Sequence, residues 1–193
     1  MDDLLALPAG SLTEAVLSHV RAAVDKPILE HSLRSFYFAR LIAEQEGLLA
    51  DPAYDEQLLF AATVMHDLGL GPLAPGAARF EVEGADLAVR VLAEQGITHD
   101  DIARVWEAIA LHSCIGLADR MGVLTYLTHK GVFTDGGRFT ELSADLQEPV
   151  RTAYPRPPGD RSIKDAIVRH ARKSPAAAPP FSIAAELLRN APD

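Results

Sequence analysis

Apolar residues recur along most of the chain at helical rather than strand spacing. Leu12, Ala15, Val16, His19, Val20 and Ala23 share one face, and Ser11-Leu12-Thr13-Glu14 has capping-box spacing. The pattern predicts a first helix to about Val24, with His19 at the core edge. Pro27 opens a second helix, from Ile28 to about Glu46, which Gly47 ends. Leu33, Phe36, Ala39, Arg40 and Ala43 mark its face. After the loop Asp51-Pro52-Ala53-Tyr54, a third helix runs from about Asp55 to His66-Asp67, and Gly69 is expected to let the backbone turn away. The Gly/Pro-rich stretch Gly71 to Gly76 cannot be helical and is read as a rim or a lid. A fourth helix follows Arg79-Phe80-Glu81 and stops at Gly96. A fifth starts at Thr98 to Asp101, carries Ile102, Val105, Trp106 and Ile109 inward, and reaches His112. A sixth is expected from Leu117 to Val132, weakened by Gly122 and Gly131, ending at Thr134-Asp135-Gly136-Gly137. Helices over Leu142–Thr152, Ile163–Ala171 and Ser182–Leu188 complete the set. Eight or nine helices and no strand predict an all-α bundle in a single domain. Residues 1–173 form its helical core, and 174–193 supply a linker and a last helix packed on it.

Composition narrows the setting. The 193 residues suffice for a real core without disulfides, and Cys114, the only cysteine, excludes an intrachain disulfide and a Cys-rich zinc site. A net charge of −9 with no basic block argues against nucleic acid as a partner. It leaves room for a small molecule, even an anionic one held by two or three local cations. Met1-Asp2-Asp3-Leu4 lacks the basic start of a signal peptide, and no apolar run is long enough to span a bilayer. A soluble, cytoplasmic protein without membrane partners is expected, with homo-oligomerisation left open.

Chemistry gathers at helix ends. His66 and Asp67 stand side by side at the end of the most apolar stretch, Leu58 to Leu70. A carboxylate buried there needs a partner. His31 in the second helix and Asp135 at the end of the sixth complete a set too far apart in sequence for a local metal loop, so such a site must be assembled by packing. Imidazole and carboxylate ligands suit Zn, Mn, Fe or Ni. With open coordination positions, the ion lowers the pKa of a water towards ~7.

The order of a His, a His-Asp pair and a distant Asp resembles the HD-domain superfamily of all-helical metal-dependent hydrolases. Flanking segments come in the same order: His31-Ser32-Leu33-Arg34-Ser35-Phe36, Met65-His66-Asp67-Leu68, Arg79 to Ala85, Glu107 to His112, and Gly131 to Asp135. Together they are similar to the cyanamide hydratase-like branch. The likeness covers roughly Ile28 to Gly137 and more weakly Ala153 to Arg156. It implies an HD-type helical bundle and one divalent metal, Zn first, with Fe, Mn or Ni compatible, held by His31, His66, Asp67 and Asp135. Glu81 is either a helix cap or the acceptor of a proton from the activated water. His112 is expected to polarise substrate, shuttle a proton or bind a second metal. Arg34 is expected to support a carboxylate such as Asp67, or to form a structural salt bridge. Arg79 and Lys130 are read as solvated charges, Trp106 as core, and His99, His129 and His170 as ordinary.

The function implied is hydration or hydrolysis of a small near-neutral substrate such as cyanamide or a related nitrile. The alternative is a phosphohydrolase acting on a nucleotide or another phosphate ester, whose chemistry needs cations around the phosphoryl group. Many HD phosphohydrolases carry a Lys three residues after the Asp, where this chain has Leu70. The chain also departs from the cyanamide enzymes in Gly136-Gly137, which follow Asp135 directly, and in the rim Leu68 to Pro72.

Overall fold

The computed structural model describes residues 4–138 and 142–192, so Met1, Asp2 and Asp3, which carried the N-terminal expectation, lie outside it. Nine α-helices and no strand occur among the described residues: α1 Ser11–Ala23, α2 Lys26–Gln45, α3 Glu56–Met65, α4 Phe80–Glu94, α5 His99–Leu111, α6 Val123–Asp135, α7 Ala144–Ala153, α8 Ser162–Ala171 and α9 Ile183–Arg189. None is long and apolar enough to cross a membrane.

Local chemistry starts and stops several of them. The Asp55 carboxylate accepts from the Gln57 and Leu58 amides at the head of α3, and the Thr98 hydroxyl accepts from Asp101 at the head of α5. Ser182 does the same for Ala185 at α9, and Gly47 leaves α2 at φ 72°. The capping box expected at Ser11 does not form. Gly10 is the N-cap at φ 128°, and Ser11 is already helical.

The helix α3 is buried from Leu58 through Met65 and packs against α1, α2, α5 and α6. A helix apolar on all sides belongs at the centre of a bundle, and its buried C-terminus therefore delivers His66 and Asp67 to the interior. α2 supplies Phe36, Tyr37, Phe38 and Ala39 to the same core.

Three glycine expectations need correction. α6 begins at Val123, with Gly122 as its N-cap, because Leu117 to Met121 form a turn and a short 3-10 segment. Gly131 does not weaken α6; it lets α6 reach α2. A Cβ there would lie 2.2 Å from the Ser35 carbonyl oxygen. Gly69 serves close approach rather than a turn, since its φ is not left-handed and a Cβ would lie 1.9 Å from the Phe80 carbonyl oxygen. Gly131→Ala is expected to cost about 3 kcal/mol by forcing α2 and α6 apart. Urea denaturation reads this directly, and an unchanged midpoint would refute it.

α8 and α9 build a second, smaller apolar cluster. Ile167, Ala171 and Ala184 meet Phe80 there, with Leu70, Ile163, Ile183 and Leu187 packed around them. The segment expected as rim or lid is fastened to this part of the molecule. The Glu83 carboxylate accepts from the amides of Gly76, Ala77 and Ala78, the Lys173 ammonium donates to Ala74 and the Ser174 hydroxyl to Gly76.

Candidate metal centre

α3 ends at Met65, His66 follows in helical conformation, and Asp67 opens the 3-10 turn Leu68–Leu70. The packing of α2 against α3 sets His31 opposite this pair. His66 Nε2 lies 3.2 Å and His31 Nε2 3.8 Å from Asp67 Oδ2. Ligand atoms of these three buried side chains all fall within 4.8 Å of one another.

Hydrogen bonds fix which nitrogen of each ring faces inward. The His66 Nδ1 donates to the Thr63 carbonyl at 2.7 Å. A carbonyl can only accept, so a neutral His66 presents its lone pair on Nε2. The His31 Nδ1 donates to Asp135 Oδ2 at 2.6 Å, which likewise frees Nε2. Among the described residues, neither His66 Nε2 nor Asp67 Oδ2 has a hydrogen-bond partner beyond their own 3.2 Å approach to each other, although both are buried. Orphaned buried polar atoms are costly, and a divalent cation between them removes that cost. The donor set therefore fits a metal ion.

Asp135, the last residue of α6, reaches the site from behind His31. Its carboxylate also receives a bidentate grip from Arg34, with Nε at 2.6 Å from Oδ1 and Nη2 at 2.9 Å from Oδ2. The remaining Arg34 nitrogen donates to the Tyr154 carbonyl. Arg34 thus supports Asp135 and not Asp67. Asp135 does not join the three-residue cluster; it touches one of its members.

Glu81, in the first turn of α4, is fully buried. Arg79 Nη2 lies 2.7 Å from Oε1, Arg79 Nε 3.3 Å from Oε2, and the Ser113 hydroxyl donates to Oε1. Arg79 is accordingly half-buried and paired, not a solvated charge. His112 caps α5, donates from Nδ1 to Ile109 at 2.7 Å, and packs edge-on against His66 with ring centres 4.7 Å apart. His129, expected to be ordinary, is buried and donates to the His112 carbonyl at 2.7 Å. Lys130 is also buried, its ammonium over the Tyr126 ring. Trp106 lies at the surface, donating to Asp86. His170 is buried, with Nε2 3.1 Å from the Ala78 carbonyl oxygen.

Burial alone would push the Asp67 carboxyl up, but His66 and His31 beside it hold it well below the usual range. Burial acts likewise on Asp135, where His31 and Arg34 prevail, and on Glu81, where Arg79, His112 and Ser113 prevail. His66 is raised because Asp67 outweighs its desolvation. Burial and the neighbouring His66 take His112 down to about 4. Carboxylates depressed in the folded state stabilise it above their unfolded pKa and lose that contribution as pH falls through the folded value. Metal-free protein is therefore expected to lose stability as pH drops below 4.5 for Glu81 and 3.8 for the two aspartates. Each carboxylate contributes a slope of up to about 1.4 kcal/mol per pH unit. Urea unfolding of Glu81→Gln between neutrality and acid should show a shallower fall than the wild type; parallel curves would refute the assignment.

The cluster forms the floor of a cavity of about 260 Å³. Phe80, Val132 and Phe133 line it with Ile163 and Ile167 of α8 and Ile183 and Leu187 of α9. Ser113, Arg138, Arg156 and Lys164 also border it. Ser113, His129 and the α8–α9 wall carried no local signal, because their places depend on segments distant in sequence.

Comparison with curated proteins finds no match. A family model for the HD domain matches residues 28–124, half of the chain. The matched span includes His31, His66, Asp67, Glu81 and His112. With this span and this cluster, the chain belongs to the HD domain family, whose members are generally metal-dependent hydrolases.

Proposed function

We propose that this protein is a metal-dependent hydratase or hydrolase that delivers an activated water to a small near-neutral electrophile, with cyanamide and related nitriles as the class to test. One observation carries this: the His31/His66/Asp67 cluster floors a chiefly apolar cavity, while the buried Arg34 and the half-buried Arg79 near it are already neutralised by Asp135 and Glu81. An uncharged reacting group needs no free buried cation, whereas a transferring phosphoryl group does.

The ion would be held by Nε2 of His31 and His66 and by the Asp67 carboxylate, with zinc the first candidate and Fe, Mn or Ni compatible with the donors. When bound, it supplies Lewis-acid polarisation and a water of lowered pKa. Asp135 acts through His31 by fixing the proton on Nδ1, a support typical of metal-ligating histidines. His112 borders the cavity as a neutral imidazole whose Nε2 lone pair can accept a proton. Glu81 positions Ser113, which also borders the cavity.

A second reading, phosphohydrolysis, draws support from Arg138, Arg156 and Lys164 on the same cavity. Protein loaded separately with Zn, Mn, Fe or Ni, its metal content measured, is assayed with cyanamide, alkyl nitriles and nucleoside monophosphates. Urea or amide release without phosphate supports the first reading. Phosphate release that His66→Ala abolishes replaces it with the second. No turnover at full metal occupancy removes the nitrile class.

A further inference from the structure

We propose that the substrate carries a hydrocarbon body of several carbons, and that the two C-terminal helices select it. This rests on the reading above in one respect, that the His31/His66/Asp67 cluster holds the reacting end.

Size is the first ground. A cavity of about 260 Å³ corresponds to the liquid volume of about nine waters at ~30 Å³ each. Cyanamide has only three non-hydrogen atoms and would leave most of it to solvent. The character of the walls is the second. Ile163 and Ile167 on α8 and Ile183 and Leu187 on α9 face the cavity, and all but Ile167 are only partly buried by the protein's own packing. Apolar surface left on a concave wall above a polar floor is what a hydrocarbon chain would cover, and each buried methylene should tighten binding about fourfold. The third ground is rigidity. α8 is anchored to the core through Phe80, and His170 and the neighbouring Lys173 and Ser174 hold the 74–78 segment. The wall is thus preformed and can discriminate by shape.

The test uses the zinc-loaded 193-residue chain and straight-chain hydroxamates, whose chelating head seeks the metal while the tail samples the cavity. Calorimetry compares acetohydroxamate with hexanohydroxamate. The longer probe is expected to bind at least tenfold tighter, which needs about two buried methylenes. In Leu187→Ala the ratio should shrink, and in Leu187→Phe, which narrows the cavity without emptying it, the longer chain should be rejected. Equal affinities, with acetohydroxamate bound, would overturn the proposal. If acetohydroxamate does not bind at all, the metal reading fails separately. Methyl NMR of metal-free protein with 1-hexanol then decides: shifts at Ile163, Ile167, Ile183 and Leu187 uphold the apolar body site, and their absence refutes it.

Discussion

His66→Ala is expected to abolish stoichiometric metal binding and to lower turnover by about 10³-fold or more, because the several kcal/mol a Lewis acid supplies are lost with it. The Nε2 lone pair of His66 is oriented by the Thr63 carbonyl, and its loss leaves only two members of the three-residue cluster, His31 and Asp67. Asp135→Asn should behave differently. If Asp135 acts through His31, losing its charge should weaken metal binding about 10–100-fold without abolishing it. Elemental analysis after dialysis and calorimetric metal titration distinguish the two. Complete metal loss in both variants would make Asp135 a direct ligand, and full occupancy in His66→Ala would remove the cluster as the metal centre.

Arg34→Met is expected to destabilise the fold by about 3–5 kcal/mol, the cost of stranding one member of a buried ion pair. Asp135 would keep His31 but lose two hydrogen bonds of 2.6 and 2.9 Å from the guanidinium. Arg151, at 3.8 Å from Oδ1, is too distant to replace them. In a domain of this size the melting temperature should fall by about 10 °C. Replacing both partners, Arg34→Met with Asp135→Leu, should recover part of the stability because no buried charge is then unpaired. Metal content should still fall, since His31 loses its orienting carboxylate. An unchanged melting temperature in the single variant would mean that the pair is exposed to solvent or dispensable.

The resemblance drawn from the sequence is upheld at the level of the HD domain family and of an all-helical, single-domain bundle. The helices were legible because their signals are local. Asp55, Thr98 and Ser182 cap with their own neighbours, and Gly47 and Gly96 stop helices through their own backbone angles. Where a signal was local but ambiguous, the structure reversed it. Gly131 and Gly69 look like helix weakeners or turn makers in one dimension, and both prove to be points where a second backbone passes too close for a Cβ.

The sequence by itself singled out His31, His66, Asp67 and Asp135 as candidate ligands on separate helices of an all-α bundle, and placed the His66-Asp67 pair at the end of its most apolar stretch. Only the tertiary structure decided that three of them converge while Asp135 stands behind His31, gripped by an arginine 101 positions earlier in the chain. It also decided that α8 and α9, which carry no motif, wall the cavity. The physical reason is range. Helix formation is governed by contacts three and four residues apart, which a sequence displays directly. Ligand geometry depends on ångström-scale distances between helices, which follow from how whole apolar faces pack and are written in no single stretch of the chain.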